Sequence, residues 1–366
     1  MGVLMTYRKT ILILFGGQSS EHEISRKSTA SILENINSEK YDILKVGIKK
    51  DGTWLLTEAS AEAIESGTWE NHESNCPVNP ALDHSRRLIF TESANSVYID
   101  VVFPVLHGRN GEDGTIQGLL QIAGLPFVGS DAKSSAACMD KAVTKALVNQ
   151  AGVCEQAKCC VIHRGCDEKN AVHMIDEFFS SEYPLFVKPA NSGSSVGISK
   201  VGNPAELPEA IKIAFAEDDK ILVEKAIVGR EIEVAVLGNR ESSRGPEASC
   251  IGEIFAANEF YDYTAKYEDI GSRTAIVNDL PDTLEEKIKE TAVSIYKVMG
   301  CDGMARVDFF LTPGPEGSYH DGEVVFNEIN TIPGFTKISM YPQLWEASGI
   351  PYDRLIDMLI ELAIER

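Results

Sequence analysis

The chain alternates short apolar runs with longer stretches of helical period. Thr10–Phe15 is a nearly continuous apolar run, which reads as a buried strand ending at Gly16-Gly17. A helix is expected from about Glu21 to Asn35, followed by a strand over Tyr41–Ile48. Val101–Leu106 reads as another buried strand, with a helix over Thr115–Ala123 after GEDG. Residues 51–96 are polar and weakly periodic, so they read as an insertion carrying short strands. This β-α-β order predicts an α/β unit built on an open parallel sheet with helices on both faces.

The second half repeats the texture with other pieces. A helix around Asp140–Ala151 opens it, and Leu185–Lys188, Ile221–Lys225 and Ile232–Leu237 read as strands. The segment Gly193–Gly197 is a small-residue loop between the first two of these. Leu284, Ile288, Ala292 and Ile295 share one face of a long helix expected over Leu280–Met299. Tyr352–Ile364 reads as a terminal helix. Joints near 130 and 237 would divide the chain into units 1–130, 131–237 and 238–366.

Two late strands carry the clearest chemistry. In VVFNEIN (324–330), alternation puts Glu328 and Asn330 on one face; in MARVDFFL (304–311), Arg306 and Asp308 share a face. If those faces meet, two carboxylates and one amide converge. Such oxygen donors suit a hard cation such as Mg2+ held between protein and polyphosphate. A guanidinium beside them suits a developing anion. The pattern therefore points to an ATP-dependent enzyme.

Composition limits the alternatives. At 366 residues, 43% of them apolar, the chain is long enough for two or three domains with proper cores. A net charge of -21 argues against nucleic acid and anionic membranes as partners. A nucleotide site must then supply its own local lysines and arginines. The apolar run ILILF is too short for a membrane span and leads straight into glycines, so neither a span nor a secretory signal is expected. Eight cysteines without such a signal read as free thiols in a reducing, cytoplasmic setting. Cys154, Cys159, Cys160 and Cys166 lack the paired spacing of a zinc site.

Several other motifs each admit a plain reading beside a functional one. GSSVG at 193–197 follows the strand-like FVKP; its N–H groups can nest an anion beside Lys188, or it is only a turn. No Walker A or GxGxxG pattern is present. ILVEKAIVGRE (221–231) can offer an adenine edge to backbone groups, with Glu231 on a ribose, or be a hairpin with solvated charges. FYDYTAKY at 260–267 is aromatic yet charged, which suits a flap over a site better than a core. In GGQSSEHEIS, Glu21 can hold a substrate ammonium or belong to helix capping. In HGRNGEDG, His107 can touch substrate or brace its loop, while Glu112 and Asp113 are expected to cap the next helix.

Taken together, GGQSSEHEIS, HGRNGEDG, MDK (139–141), KPANSGSSVGISK (188–200), FYDYTAKY, and ARVDFF with NEINTIPGFT make the chain resemble the D-alanine–D-alanine ligases of the ATP-grasp group. The resemblance spans nearly the whole chain. It implies a three-domain ATP-grasp fold, with ATP held between central and C-terminal domains. It also implies joining of two D-alanines through an acyl phosphate. Lys141, Lys188 and Ser195 would meet ATP phosphates; Glu224, Lys225, Ala226 and Ile227 would line the adenine site, and Glu231 the ribose. Asp308, Glu328 and Asn330 would hold two Mg2+ ions, with Mn2+ able to substitute. Glu21, Ser194 and Tyr267 would form a hydrogen-bonded set around the first D-alanine, with His107 beside it. Lys266, Ser339 and Met340 would contact the second, and Arg306 and the Gly334 N–H would stabilise the oxyanion.

Members making D-alanyl-D-lactate carry a His in the flap, and those making D-alanyl-D-serine a bulky cation after the closing serine. Lys266-Tyr267 and Ser339-Met340 resemble the D-alanine-specific type. A homodimer is the family expectation. The competing readings are another ATP-grasp carboxylate–amine ligase and an ATP-binding protein without turnover.

Overall fold

The computed structural model describes residues 7–255 and 273–366. The expected flap, FYDYTAKY at 260–267 with Lys266 and Tyr267, lies outside the described residues.

Three sheets organise the described chain. The first contains β1 (Lys9–Gly16), β2 (Tyr41–Ile48), β3 (Trp54–Leu56), β4 (Cys76–Pro80), β5 (Arg87–Phe90), β6 (Ser96–Tyr98) and β7 (Val101–Val105), in the order β6-β5-β4-β3-β2-β1-β7. Only β2, β1 and β7 run parallel; β3 to β6 add antiparallel neighbours. The parallel sheet expected from the apolar runs is thus the core of a mixed one. The extra strands come from the 51–96 insertion, whose short hairpins can only pair antiparallel.

Helix α1 (His22–Asn35) follows β1 through a turn at Gly16 and Gly17. Gly16 has φ +88°, and a Cβ there would stand 2.2 Å from the Ile48 carbonyl oxygen, so the turn requires glycine. Ser25 on α1 accepts the Gly16 N–H at 2.7 Å and donates to the Val105 carbonyl, tying helix, β1 and β7 together. Helices α2 (Ala61–Ser66), α3 (Thr115–Ile122), α4 (Ala132–Met139) and α5 (Lys141–Ala151) come next. Asp140 caps α5 by accepting the N–H groups of Ala142 and Val143.

The second sheet is antiparallel: β9 (Cys159–His163), β10 (Leu185–Pro189), β11 (Ser199–Val201) and β12 (Lys220–Lys225), ordered β11-β10-β12-β9. Helices Glu168–Phe178 and Leu207–Glu217 cover it. They share with it a self-contained core of Ile162, Ile175, Val187, Leu207, Ile211 and Val223.

The third sheet has β13 (Arg230–Leu237), β14 (Glu247–Phe255), β15 (Arg273–Ile276), β16 (Met304–Leu311) and β17 (Val324–Asn330), with the two-residue β8 (Glu155–Gln156) at its edge. β13 pairs with both β14 and β16, so the joint expected near 237 would cut between hydrogen-bonded neighbours. The second sheet ends instead at Lys225, and the third begins at Arg230. Residues 238–246 close the hairpin between β13 and β14.

One hydrophobic core runs from the first sheet into the third. Ile11, Ile13, Val101 and Phe103 pack in the same cluster as Ala235, Leu237, Met304, Tyr341, Trp345 and Leu355. All eight cysteines are free. Among the described residues, no helix is long and apolar enough to cross a membrane.

Candidate functional site

The strand ends of all three sheets open on one cavity of about 200 Å3. Its lining includes Glu21, His107, Glu112, Lys141, Ser194, Arg306, Glu328, Asn330, Gly334, Ser339 and Met340. Residues far apart in sequence are thus brought to one place.

At one end stands Glu21, the N-cap residue of α1, buried at 6% exposure. Ser194 donates a hydrogen bond to its carboxylate from the loop after β10. Gly108 and Gly193 flank the same carboxylate: a Cβ would fall 2.4 Å and 3.0 Å, respectively, from Glu21 Oε2. Ser194 and Ser195 both adopt left-handed backbone, φ 49° and 60°, a conformation costly for residues other than glycine. That strain holds the Ser194 hydroxyl toward Glu21 across the boundary between sheets.

His107 is buried behind this end. Its Nδ1–H donates to the Ile332 carbonyl at 3.1 Å, and Nε2 lies 3.3 Å from Ser28 Oγ. Burial pushes its pKa down, outweighing the nearby Glu21 charge, so the neutral tautomer fits both partners. Glu112 does not cap the next helix as expected. It accepts the Gly108 N–H at 2.7 Å and lines the cavity, while Asp113 accepts the N–H groups of Asn110 and Thr115. Burial, reinforced by the Glu21 charge, raises the Glu112 carboxyl to about 8.

β16 and β17 supply the opposite wall. Their register pairs Arg306 with Asn330 and Asp308 with Glu328, so the faces predicted separately do meet. Arg306 grips Asp308 with two hydrogen bonds of 2.8 and 2.7 Å and lies 3.1 Å from Glu233. Burial works against its charge, but Asp308 and Glu233 overrule it and hold the guanidinium protonated. Asn330 donates to Asp308 at 3.1 Å, and Lys141 lies 3.4 Å from Glu328.

Among the described residues no three His, Cys, Asp or Glu side chains form a metal cluster. The donor set here is two carboxylates and an amide. That fits Mg2+, which usually completes its shell with water and phosphate oxygens.

The cleft between the second and third sheets holds a further ion-pair set. Glu224 on β12 is buried between Lys145 of α5, at 2.6 Å, and Lys188 of β10. Burial alone would raise its pKa, but the two lysines hold it at about 2. Lys225 lies 3.3 Å from Glu182, and the Ala226 N–H is spent on the Pro184 carbonyl at 3.1 Å. Ile227 follows on the link to β13, where Glu231 stands. Neither Lys145 nor Glu233 was singled out from the sequence. Both had a signal: Lys145 is four residues from Lys141 on one helix, and Glu233 interrupts an apolar strand.

At the rim, Ser339 Oγ accepts the Thr336 N–H at 3.0 Å. Met340 begins the next helix and packs on the Gly252 backbone, where a Cβ would fall 2.5 Å from its sulfur.

Two sheets closing over a cleft of lysines and carboxylates define an ATP-grasp enzyme. Sequence comparison makes the class narrower. The family described as D-ala D-ala ligase N-terminus matches residues 10–130, and D-ala D-ala ligase C-terminus matches 147–361. D-alanine–D-alanine ligase B of Clostridium tetani is 48% identical over 99% of this chain and 96% of its own. A D-alanine–D-alanine ligase of Thermoanaerobacter is 47% identical over 98% of this chain and 97% of its own. Among solved structures, the VanG D-Ala:D-Ser ligase of Enterococcus faecalis has a TM-score of 0.85 at 40% identity, covering 98% of this chain and 100% of its own. The D-alanine–D-alanine ligase of Coxiella burnetii has a TM-score of 0.82 at 36% identity, with 98% and 96% covered. The chain belongs to the D-alanine–D-alanine ligase family.

Proposed function

We propose that the protein joins two D-alanine molecules into D-alanyl-D-alanine, converting ATP to ADP and phosphate, as a cytoplasmic step toward peptidoglycan. The observation that carries this reading is the convergence, on one cavity, of the Glu21 carboxylate, suited to an ammonium, and of Arg306, Lys141, Glu328 and Asn330, suited to phosphate and metal. A carboxylate and an amine do not condense unaided. Phosphorylation of the first D-alanine carboxylate makes an acyl phosphate, which the second amine then attacks.

Glu21, oriented by Ser194, holds the first ammonium, and neutral His107 braces the same end without adding charge. Lys141 and Lys188 neutralise phosphate charge, with Ser195 in the loop beside them. Glu224, Lys225, Ala226 and Ile227 line the adenine side, and Glu231 reaches the ribose. Asp308, Glu328 and Asn330 would hold Mg2+, which supplies charge neutralisation during phosphoryl transfer. Arg306 and the Gly334 N–H stabilise the oxyanion of the tetrahedral intermediate. Tyr267 and Lys266 complete the set from outside the described residues. Ser339 and Met340 bound the second substrate. A homodimer is part of this proposal.

A D-alanyl-D-serine product is the second reading, because VanG is among the structures most like this one. Met340, apolar and packed on Gly252, stands where the resemblance associates a bulky cation with D-serine. It favours D-alanine. The test is incubation with ATP, Mg2+ and D-alanine, alone and with D-serine or D-lactate, following phosphate and product mass. Phosphate release and dipeptide from D-alanine alone support the proposal. Product only with an added acceptor overturns the specificity, and absence of amino-acid-dependent phosphate overturns the activity.

A further inference from the structure

Helix α1 faces the cavity with Glu21, Ile24 and Lys27, at three-residue spacing. From Glu21 to Lys27 the helix axis advances about 9 Å. The Glu21 end meets Ser194. The Lys27 end is tied to the loop that leads into Ser339: Ser28 Oγ accepts the Phe335 N–H at 3.4 Å, and the Tyr352 hydroxyl lies 3.1 Å from Ser31 Oγ and 2.5 Å from the Phe335 carbonyl. One helix face therefore runs from the carboxylate at one end of the cavity to the serine at its rim.

The charges along that face are unequal in their commitments. Among the described residues lining the cavity, the acids are Glu21, Glu112, Glu233 and Glu328, and the cations Lys27, Lys141 and Arg306. Lys141 donates to the Ser192 carbonyl at 2.8 Å and pairs with Glu328; Arg306 is held by Asp308 and Glu233. Among those described cations, Lys27 alone has neither hydrogen bond nor ion pair. A substrate carboxylate arriving at the rim meets an acid-rich cavity, and among the described cations Lys27 is the one with no prior partner.

We propose that Lys27 receives the carboxylate of the second amino acid together with Ser339, so that α1 reads the zwitterionic dipeptide from both ends. This rests on the ligase reading above. Lys27 then selects acceptors that carry a free carboxylate, a role additional to that of Lys266.

The test uses the full-length protein with Lys27→Met and Lys27→Arg, each checked for unchanged ADP affinity by calorimetry. Loss of a charge-assisted contact to a carboxylate is worth about tenfold or more. Lys27→Met is expected to raise KM for the second D-alanine by about that factor, with much smaller changes in kcat and in KM for the first. Lys27→Arg recovers most of the loss. With D-alaninamide as acceptor, which has no carboxylate, wild type and Lys27→Met have equal kcat/KM. An unchanged second KM, or an equal loss with D-alaninamide, overturns the proposal. If wild type forms no D-alanyl-D-alanine at all, the ligase reading itself falls, and this proposal with it.

Discussion

Glu112 and Glu224 are both glutamates packed into the walls of the site, yet they titrate at opposite extremes. Glu112 stands at the amino-acid end, where burial and then the Glu21 charge push it up to about 8. Glu224 stands in the nucleotide cleft, where burial acts in the same direction but Lys145 and Lys188 hold it at about 2. Burial is common to both; the partner decides the charge. On the proposed reading, the end with Glu21 and Glu112 has an excess of acid because its cation would arrive with the substrate. The nucleotide cleft carries its own cations, and two lysines on one carboxylate divide the work. Lys145 keeps Glu224 neutralised, so on the proposed reading Lys188 could turn to a phosphate without stranding a buried charge.

The comparison breaks most sharply if Glu224 loses its charge. Glu224→Gln leaves two lysines facing a neutral amide, and removing one partner of a buried ion pair typically costs about 3–5 kcal/mol. Urea unfolding at pH 7 should show a loss of that size; no change would mean that the lysines find solvent instead. Wild type should also lose the Glu224 contribution as pH falls from the ordinary 4.5 toward about 2, since the folded state binds that proton less readily.

Arg306→Ala removes the proposed oxyanion donor, for which losses of about 100- to 1000-fold in kcat are typical. ADP affinity should change far less. Equal losses in both would assign Arg306 to nucleotide binding rather than to chemistry.

Ser194→Ala tests the amino-acid end. It deletes the hydrogen bond to Glu21 and should weaken first-site D-alanine binding about tenfold, read as KM at saturating ATP. An unchanged KM would show that the Ser194 hydroxyl does not orient Glu21 for binding.

The last prediction turns on a sign rather than a size. Because the folded state raises the Glu112 pKa from 4.5 to about 8, it retains a proton that the unfolded chain releases, and stability falls as pH climbs through that window. Glu112→Gln should therefore gain stability over wild type at pH 9 and lose that gain at pH 4. A gain that is equal at both pH values would remove the ionisation argument.

Alternation made β16 and β17 legible, because period two fixes which side chains share a face before any pairing is known. What it could not supply was the register joining Asp308 to Glu328, which depends on contacts remote in sequence. The helix over Asp282–Val298 was legible from its apolar face of Leu284, Ile288, Ala292 and Ile295. The passage from the second sheet to the third, residues 226–229, is short and looks like a hairpin turn in the sequence, so nothing local marks it. Glu112 was misread for a local reason: an acid before a helix usually serves the helix, and only the fold shows it turned back to Gly108. Lys27 and Lys145 were passed over because a lysine on a helix is ordinarily solvated.

The shared core between the first and third sheets has a consequence for anyone cutting the molecule apart. A fragment ending at 130 would carry half of that core, with Ile32, Val101 and Phe103 turned to water where Tyr341, Trp345 and Leu355 now lie. A fragment spanning 157–227 would take its entire core with it. The piece that comes away whole is the middle of the chain, and what is left behind is one body made from its two ends.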